Sequence, residues 1–208
     1  GRTDKRYKIS FIIVPAISGK YKEVFMIEKI IIAGSGGQGV LTLGMYLAQI
    51  ASFEGKNAAW LPAYGAEKRG GPSFCSLIIS DREIFSPVVE TPDTLIVFDQ
   101  RALDNYAGKA GPGTLVIENS SLILEDRVKG ANKLLIPAGE IAGKLDEIRV
   151  ANIVLAGAYA AAKKIFNTEN AAGVMKEMLG KKAVKMMEKN LAAFREGFAF
   201  ASKPAERI

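Results

Sequence analysis

The chain of 208 residues contains no histidine and a single cysteine, Cys75. Without an imidazole there is no histidine general base and no zinc centre of the usual kind. One thiol cannot hold an iron–sulfur cluster alone or close a disulfide within the chain, which fits a reducing compartment. Cys75 itself lies in the apolar run SFCSLIIS, where a small buried residue is expected rather than a reactive thiol. No apolar run reaches the length of a membrane span. Aromatic residues make up only 8% and are not interleaved with the scattered lysines and arginines, so the net charge of +6 does not read as a nucleic-acid face. That excess points to an anionic ligand or an acidic neighbouring surface instead.

What is present is ordinary for a globular domain. Hydrophobic residues make up 49% and charged residues 24%, in a chain long enough for one substantial core. KRYK followed by ISFIIVPAI has the outline of a short secretory signal, but Pro15 interrupts it. Met26 opens a strand cleanly, so residues 1–25 are expected to be an N-terminal extension and 26–208 one domain.

Within that domain strands and helices alternate. Residues 27–33 read as a buried strand and 38–54 as a helix closed by Gly55. A second strand over 57–61 is stopped by Pro62, and the loop PAYGAEKRGGP follows. Residues 73–80 are strand-like, with the turn Asp81-Arg82 leading to 83–85 as a possible hairpin. Further strands are expected at 94–98, 113–118 and 133–136, with a short helix near 102–107. From Asn152 the pattern is helical, over 153–165, 169–178 and 181–200. In the last helix Ala183, Met187, Leu191, Phe194 and Phe198 form a stripe, with Lys182, Lys185 and Lys189 outside it as a solvated face. The expected fold is α/β, a mainly parallel, Rossmann-like three-layer sheet with a helical C-terminal segment.

Two glycine-rich stretches carry the chemistry. In AGSGGQGVLTLG, Gly34, Gly36 and Gly39 match G-x-G-x-x-G between a strand and a helix. Such a turn lets an anion approach the backbone and meet the amides at the helix start; a tight strand–helix turn with no ligand would use the same glycines. A dinucleotide would also need a carboxylate at the end of the second strand. Here that strand ends Ala59-Trp60-Leu61-Pro62-Ala63, and Glu54 lies at its wrong end. The second stretch, Tyr64-Gly65-Ala66-Glu67-Lys68-Arg69-Gly70-Gly71, follows that strand and is expected on the same sheet edge as the first. Arg69 is suited to a phosphate or carboxylate fork, Lys68 to a point charge and Tyr64 to stacking. The other reading is a charged surface turn in which Glu67 pairs with a neighbouring cation.

Together, GSGGQGV at 34–40 and YGAEKRGG at 64–71 closely resemble the gamma subunit of 2-oxoacid:ferredoxin oxidoreductases. The resemblance runs from about Met26 to Lys189 and includes a strand like 95–99 and an asparagine, Asn152, opening a later apolar helix. Ser35 stands where pyruvate-type members tend to carry arginine, so the chain looks more like the 2-oxoglutarate or branched-chain 2-oxoacid type. The resemblance implies a part in oxidative decarboxylation of a 2-oxoacid to an acyl-CoA with reduction of ferredoxin. It implies alpha, beta and delta partner subunits that hold thiamine diphosphate and the iron–sulfur clusters, in the cytoplasm, with no membrane or nucleic-acid partner. This chain would hold no metal and no tightly bound cofactor, and none of its residues would be catalytic. Coenzyme A is the ligand implied for Gly34, Ser35, Gly36, Gly37, Gln38, Gly39, Tyr64, Lys68, Arg69, Gly70 and Gly71, with Gln38 either on the ligand or tying the two loops together. A free-standing Rossmann-like nucleotide-binding protein and a pure interaction module remain the alternatives.

Overall fold

The structure, a computed structural model, describes residues 25–64, 70–125, 127–128, 130–179 and 184–203. The expected extension, but for its last residue Phe25, lies outside them. So does the segment 65–69 with Lys68 and Arg69.

Six strands form one sheet in the order β2-β3-β1-β4-β5-β6. These are β1 (Ile27–Ser35), β2 (Asn57–Tyr64), β3 (Pro72–Ser80), β4 (Thr94–Val97), β5 (Leu115–Asn119) and β6 (Asn132–Ile136). The β1–β4, β4–β5 and β5–β6 ladders are parallel. β3 runs antiparallel to both of its neighbours, β1 and β2. The sheet is therefore mainly parallel with one reversed strand inside it.

Alternation within single strands shows why the sheet needs cover on both faces. Ile30 and Ile32 enter one apolar cluster, while Ile31 and Ala33 enter the other. Ile96 and Ile117 follow the first pair, and Leu95, Val97 and Val116 the second. A strand apolar on both sides is stable only between two layers. The first layer holds α1 (Val40–Phe53), α3 (Ala138–Lys144), α4 (Ala151–Lys163), α5 (Thr168–Leu179) and α6 (Val184–Ser202). The second is thinner, with α2 (Gln100–Tyr106) and the loop residues Val89, Ile123 and Val128.

The helical C-terminal segment forms as expected, and α4 is buried at nearly every position. It packs against α6 at close range. A Cβ on Gly157 of α4 would run into the carbonyl oxygen of Phe194, and one on Gly197 of α6 into that of Val154. Of the expected stripe of α6, Phe194 is buried and Leu191 and Phe198 are partly buried, while Asn190, Ala193 and Gly197 complete the buried face. Ala183 and Lys182 lie outside the described residues. Lys185 is exposed, whereas Lys189 donates from Nζ to the Asp146 carbonyl at 2.7 Å.

Three other expectations need correction. The hairpin from 73–80 to 83–85 does not form: β3 is already paired on both sides, and Ile84 instead packs against the second cluster. Pro62 does not stop β2, because an edge strand paired only with β3 tolerates one missing N–H. The helix after the first glycine loop begins at Val40, since Gly39 takes a left-handed φ of 80° as its N-cap.

Candidate functional site

The reversed strand brings the two glycine stretches together. β1 and β2 run in the same direction on either side of β3, so both end where β3 begins. The register pairs Ser35 with Pro72 and Tyr64 with Ser73. Beyond those pairs the loops touch, and the Gly36 amide donates to the Gly71 carbonyl at 2.8 Å. Gly36, Gly37 and Gly70 are exposed, whereas Gly71 is buried beneath the contact.

Around the first loop each side chain has a specific anchor. A Cβ on Gly34 would meet Gln38 Oε1 at 2.5 Å and Phe98 Cβ at 2.8 Å, so the strand end passes close under the loop. Gln38 folds back within its own loop and accepts the Ser35 amide at 2.7 Å. Of its two expected roles, on a ligand or tying the two loops together, the second falls to the backbone contact of Gly36 and Gly71. The Ser35 hydroxyl donates to Asp99 Oδ2 at 2.7 Å. Asn152, nearly buried at the start of α4, donates from Nδ2 to the Gly39 carbonyl at 3.3 Å. Tyr64 stands at the end of β2 on the same rim.

Two of these anchors were missed as site residues. Asp99 closes the apolar strand TLIVF and caps α2 by accepting the Ala102 amide at 2.9 Å. An aspartate between a buried strand and a helix is a helix-start signal, which would have placed it on this rim. Asn152 was noted only as opening a helix; no local pattern links it to a loop 113 residues away.

What the described part of the rim offers an anion is backbone. The amides of Ser35, Gly36 and Gln38 are engaged inside the protein. For an anion there remain the exposed backbone at Gly37 and the start of α1. Its N-cap has no side chain, and its first turn carries no acidic residue. Such a helix start favours negative charge through its dipole and its amides. Under α1, burial pushes the Cys75 thiol up to about 11, with Sγ 3.9 Å from the Val40 carbonyl, so it stays protonated and enclosed. Glu54, which precedes β2, accepts the Asn167 amide at 2.7 Å and pairs with Lys56. Among the described residues no group of three metal-ligating side chains occurs, and no helix is long and apolar enough to cross a membrane.

Comparison with known proteins gives the same picture. Residues 29–200 match the family described as pyruvate ferredoxin/flavodoxin oxidoreductase. The ketoisovalerate oxidoreductase subunit VorA of Methanothermobacter marburgensis is 39% identical over 143 residues, 69% of this chain but only 29% of that protein. The chain thus spans under a third of that relative's length. The 2-oxoglutarate synthase subunit KorC of Methanocaldococcus jannaschii is 33% identical over 188 residues, covering 88% of this chain and 98% of that one. Among solved structures, the gamma subunit of a keto/oxoacid ferredoxin oxidoreductase from Geobacter sulfurreducens superposes with a TM-score of 0.72 at 29% identity. That match covers 84% of this chain and 98% of the other.

Proposed function

The chain belongs to the pyruvate ferredoxin/flavodoxin oxidoreductase family, and we propose that it serves as the gamma subunit of a multi-subunit 2-oxoacid:ferredoxin oxidoreductase. The assembly converts a 2-oxoacid to an acyl-CoA in the cytoplasm and passes the electrons to ferredoxin. Its substrate is a branched-chain 2-oxoacid or 2-oxoglutarate, the two classes named by the relatives above and the type that Ser35 suggests. Residues 26–208 are the gamma-type domain. Thiamine diphosphate and iron–sulfur clusters, held by the alpha, beta and delta subunits, supply the carbanion chemistry and the electron path.

This chain's own part is to complete the assembly and to receive coenzyme A at the glycine rim. One observation carries that reading: the Gly36–Gly71 hydrogen bond, which puts both glycine motifs on one edge. The exposed backbone at Gly37 and the uncapped start of α1 suit a phosphate, and Lys68 and Arg69, which precede Gly70 in the sequence, would supply the cations. No side chain on the described rim is placed as a general base or nucleophile, so the chain binds and orients.

The test is the complex reconstituted with Lys68→Ala/Arg69→Ala. Losing two charge-assisted contacts should raise KM for coenzyme A by about tenfold or more while kcat changes little. An unchanged KM would make the loops an interaction surface only. Binding of NAD or FAD by the chain alone would favour a free-standing nucleotide-binding protein.

A further inference from the structure

The rim is closed into a ring of contacts, and one carboxylate holds two sides of it. Starting at the end of β1, the Ser35 hydroxyl reaches Asp99 Oδ2 at 2.7 Å. The other oxygen of Asp99 caps α2 through the Ala102 amide at 2.9 Å. In the first turn of α2, Arg101 Nη1 extends to the Gly70 carbonyl at 3.5 Å, the longest link. The next residue, Gly71, accepts the Gly36 amide at 2.8 Å and leads back to Ser35. Three separate segments, at 35–36, 70–71 and 99–102, are thereby joined.

We propose that Asp99 is a positioning residue for the glycine rim. It fixes the first loop through Ser35 and, by capping α2, aims Arg101 at the second loop. It acts through these residues and contacts no ligand itself.

The chemistry supports this division of labour. A side-chain oxygen accepting an O–H at 2.7 Å makes a well-formed hydrogen bond. Glycine-rich turns have many accessible conformations, so a loop meant to hold an anion loses affinity unless something fixes it beforehand. The backbone hydrogen bond of Gly36 to Gly71 cannot do so alone, because both of its partners lie in such turns. Asp99 stands at the end of β4, a four-residue strand buried throughout, and so offers a rigid origin. This also changes what Ser35 is for: its hydroxyl points into the protein's own network and sets the loop's shape.

Asp99 as nothing more than a cap for α2 would make a different prediction, and two variants separate the cases. Ser35→Ala removes the upper link and leaves the cap. In the full chain, hydrogen exchange of the Ser35-position and Gly36 amides should then speed up by about tenfold, while that of Ala102 stays the same. Asp99→Asn keeps a side chain able to cap α2 and to hydrogen-bond Ser35, so it should preserve most of the protection. Unchanged exchange at Gly36 in Ser35→Ala would overturn the proposal, and so would exchange at Ala102 that speeds up as much as at Gly36 in that variant. These readouts involve no coenzyme. The proposal's bearing on coenzyme A rests on the reading above. In the assembled complex Ser35→Ala should raise KM for coenzyme A with kcat kept. Faster exchange with an unmoved KM would uphold Asp99 as the anchor of the loop and remove the coenzyme from this rim.

Discussion

Glycine does opposite work at two places in this molecule. At the rim, Gly37 and Gly39 have φ of 96° and 80°, and a Cβ on Gly37 would meet nothing within 4 Å. At Gly37 glycine is there for the backbone path, and the space above it stays open. At the crossing of α4 and α6, Gly157 and Gly197 sit in ordinary helical backbone. There the missing Cβ lets each helix lie against a carbonyl of the other, with no room left. One region keeps surface available, and the other removes it. The same residue type thus marks a binding edge in one case and a structural joint in the other.

Substitutions can break that contrast in order of size. Gly157→Ala or Gly197→Ala should be the most damaging, because the obstacle is backbone on both sides. A loss of about 1–3 kcal/mol or more is expected in urea unfolding. Gly39→Ala comes next: it meets both a left-handed φ and Asn152 Nδ2 at 2.5 Å, for about 2 kcal/mol. Gly37→Ala pays only for the backbone, about 1 kcal/mol. It should disturb the rim more than the fold, seen as changed exchange at Gly36. Gly173, inside α5 with open space around it, supplies the control: alanine there should stabilise by up to about 1 kcal/mol. If Gly173→Ala proved as harmful as Gly157→Ala, close approach would not explain the joint.

The smallest effect lies on the surface just before α4. Arg149 grips both carboxylate oxygens of Glu147, at 2.7 and 2.6 Å, and holds its pKa down to about 2 from an ordinary 4.5. A depressed carboxylate contributes to stability above its ordinary range, and that contribution is lost as pH falls through the folded value. An NMR titration of the Glu147 carboxyl carbon should therefore give a midpoint near 2. Arg149→Ala should return it towards 4.5 with little change in global unfolding, since the pair is on the surface.

Much of the rim was legible because its signals are local. The run of Ile30, Ile31 and Ile32 announced a strand covered on both faces, and the glycines after it announced the turn. The second stretch could be placed on the same edge from chain direction alone. What escaped notice depends on partners distant in sequence. The insertion of β3 between β1 and β2 is a choice among edges, and nothing in SFCSLIIS says which strand it joins. Asp99 and Ser35 are 64 residues apart. The glycines of α4 and α6 carry no local signal either, because their value lies in the carbonyl each one faces. α3, with the sequence AGEIAGK, was not read as a helix at all. Its two glycines argue against one, and the Ser121 hydroxyl overrides them by accepting the amides of Gly139 and Glu140 at its start.

The lone thiol, enclosed under α1, leaves the rest of the surface chemically silent towards sulfhydryl reagents. A cysteine introduced at the exposed Thr42, one turn from the glycine loop, would become the single position that a maleimide dye finds. No native residue would have to be removed first. The rim proposed for coenzyme A could then carry an optical ruler, reporting how far each partner chain stands from it as the assembly forms.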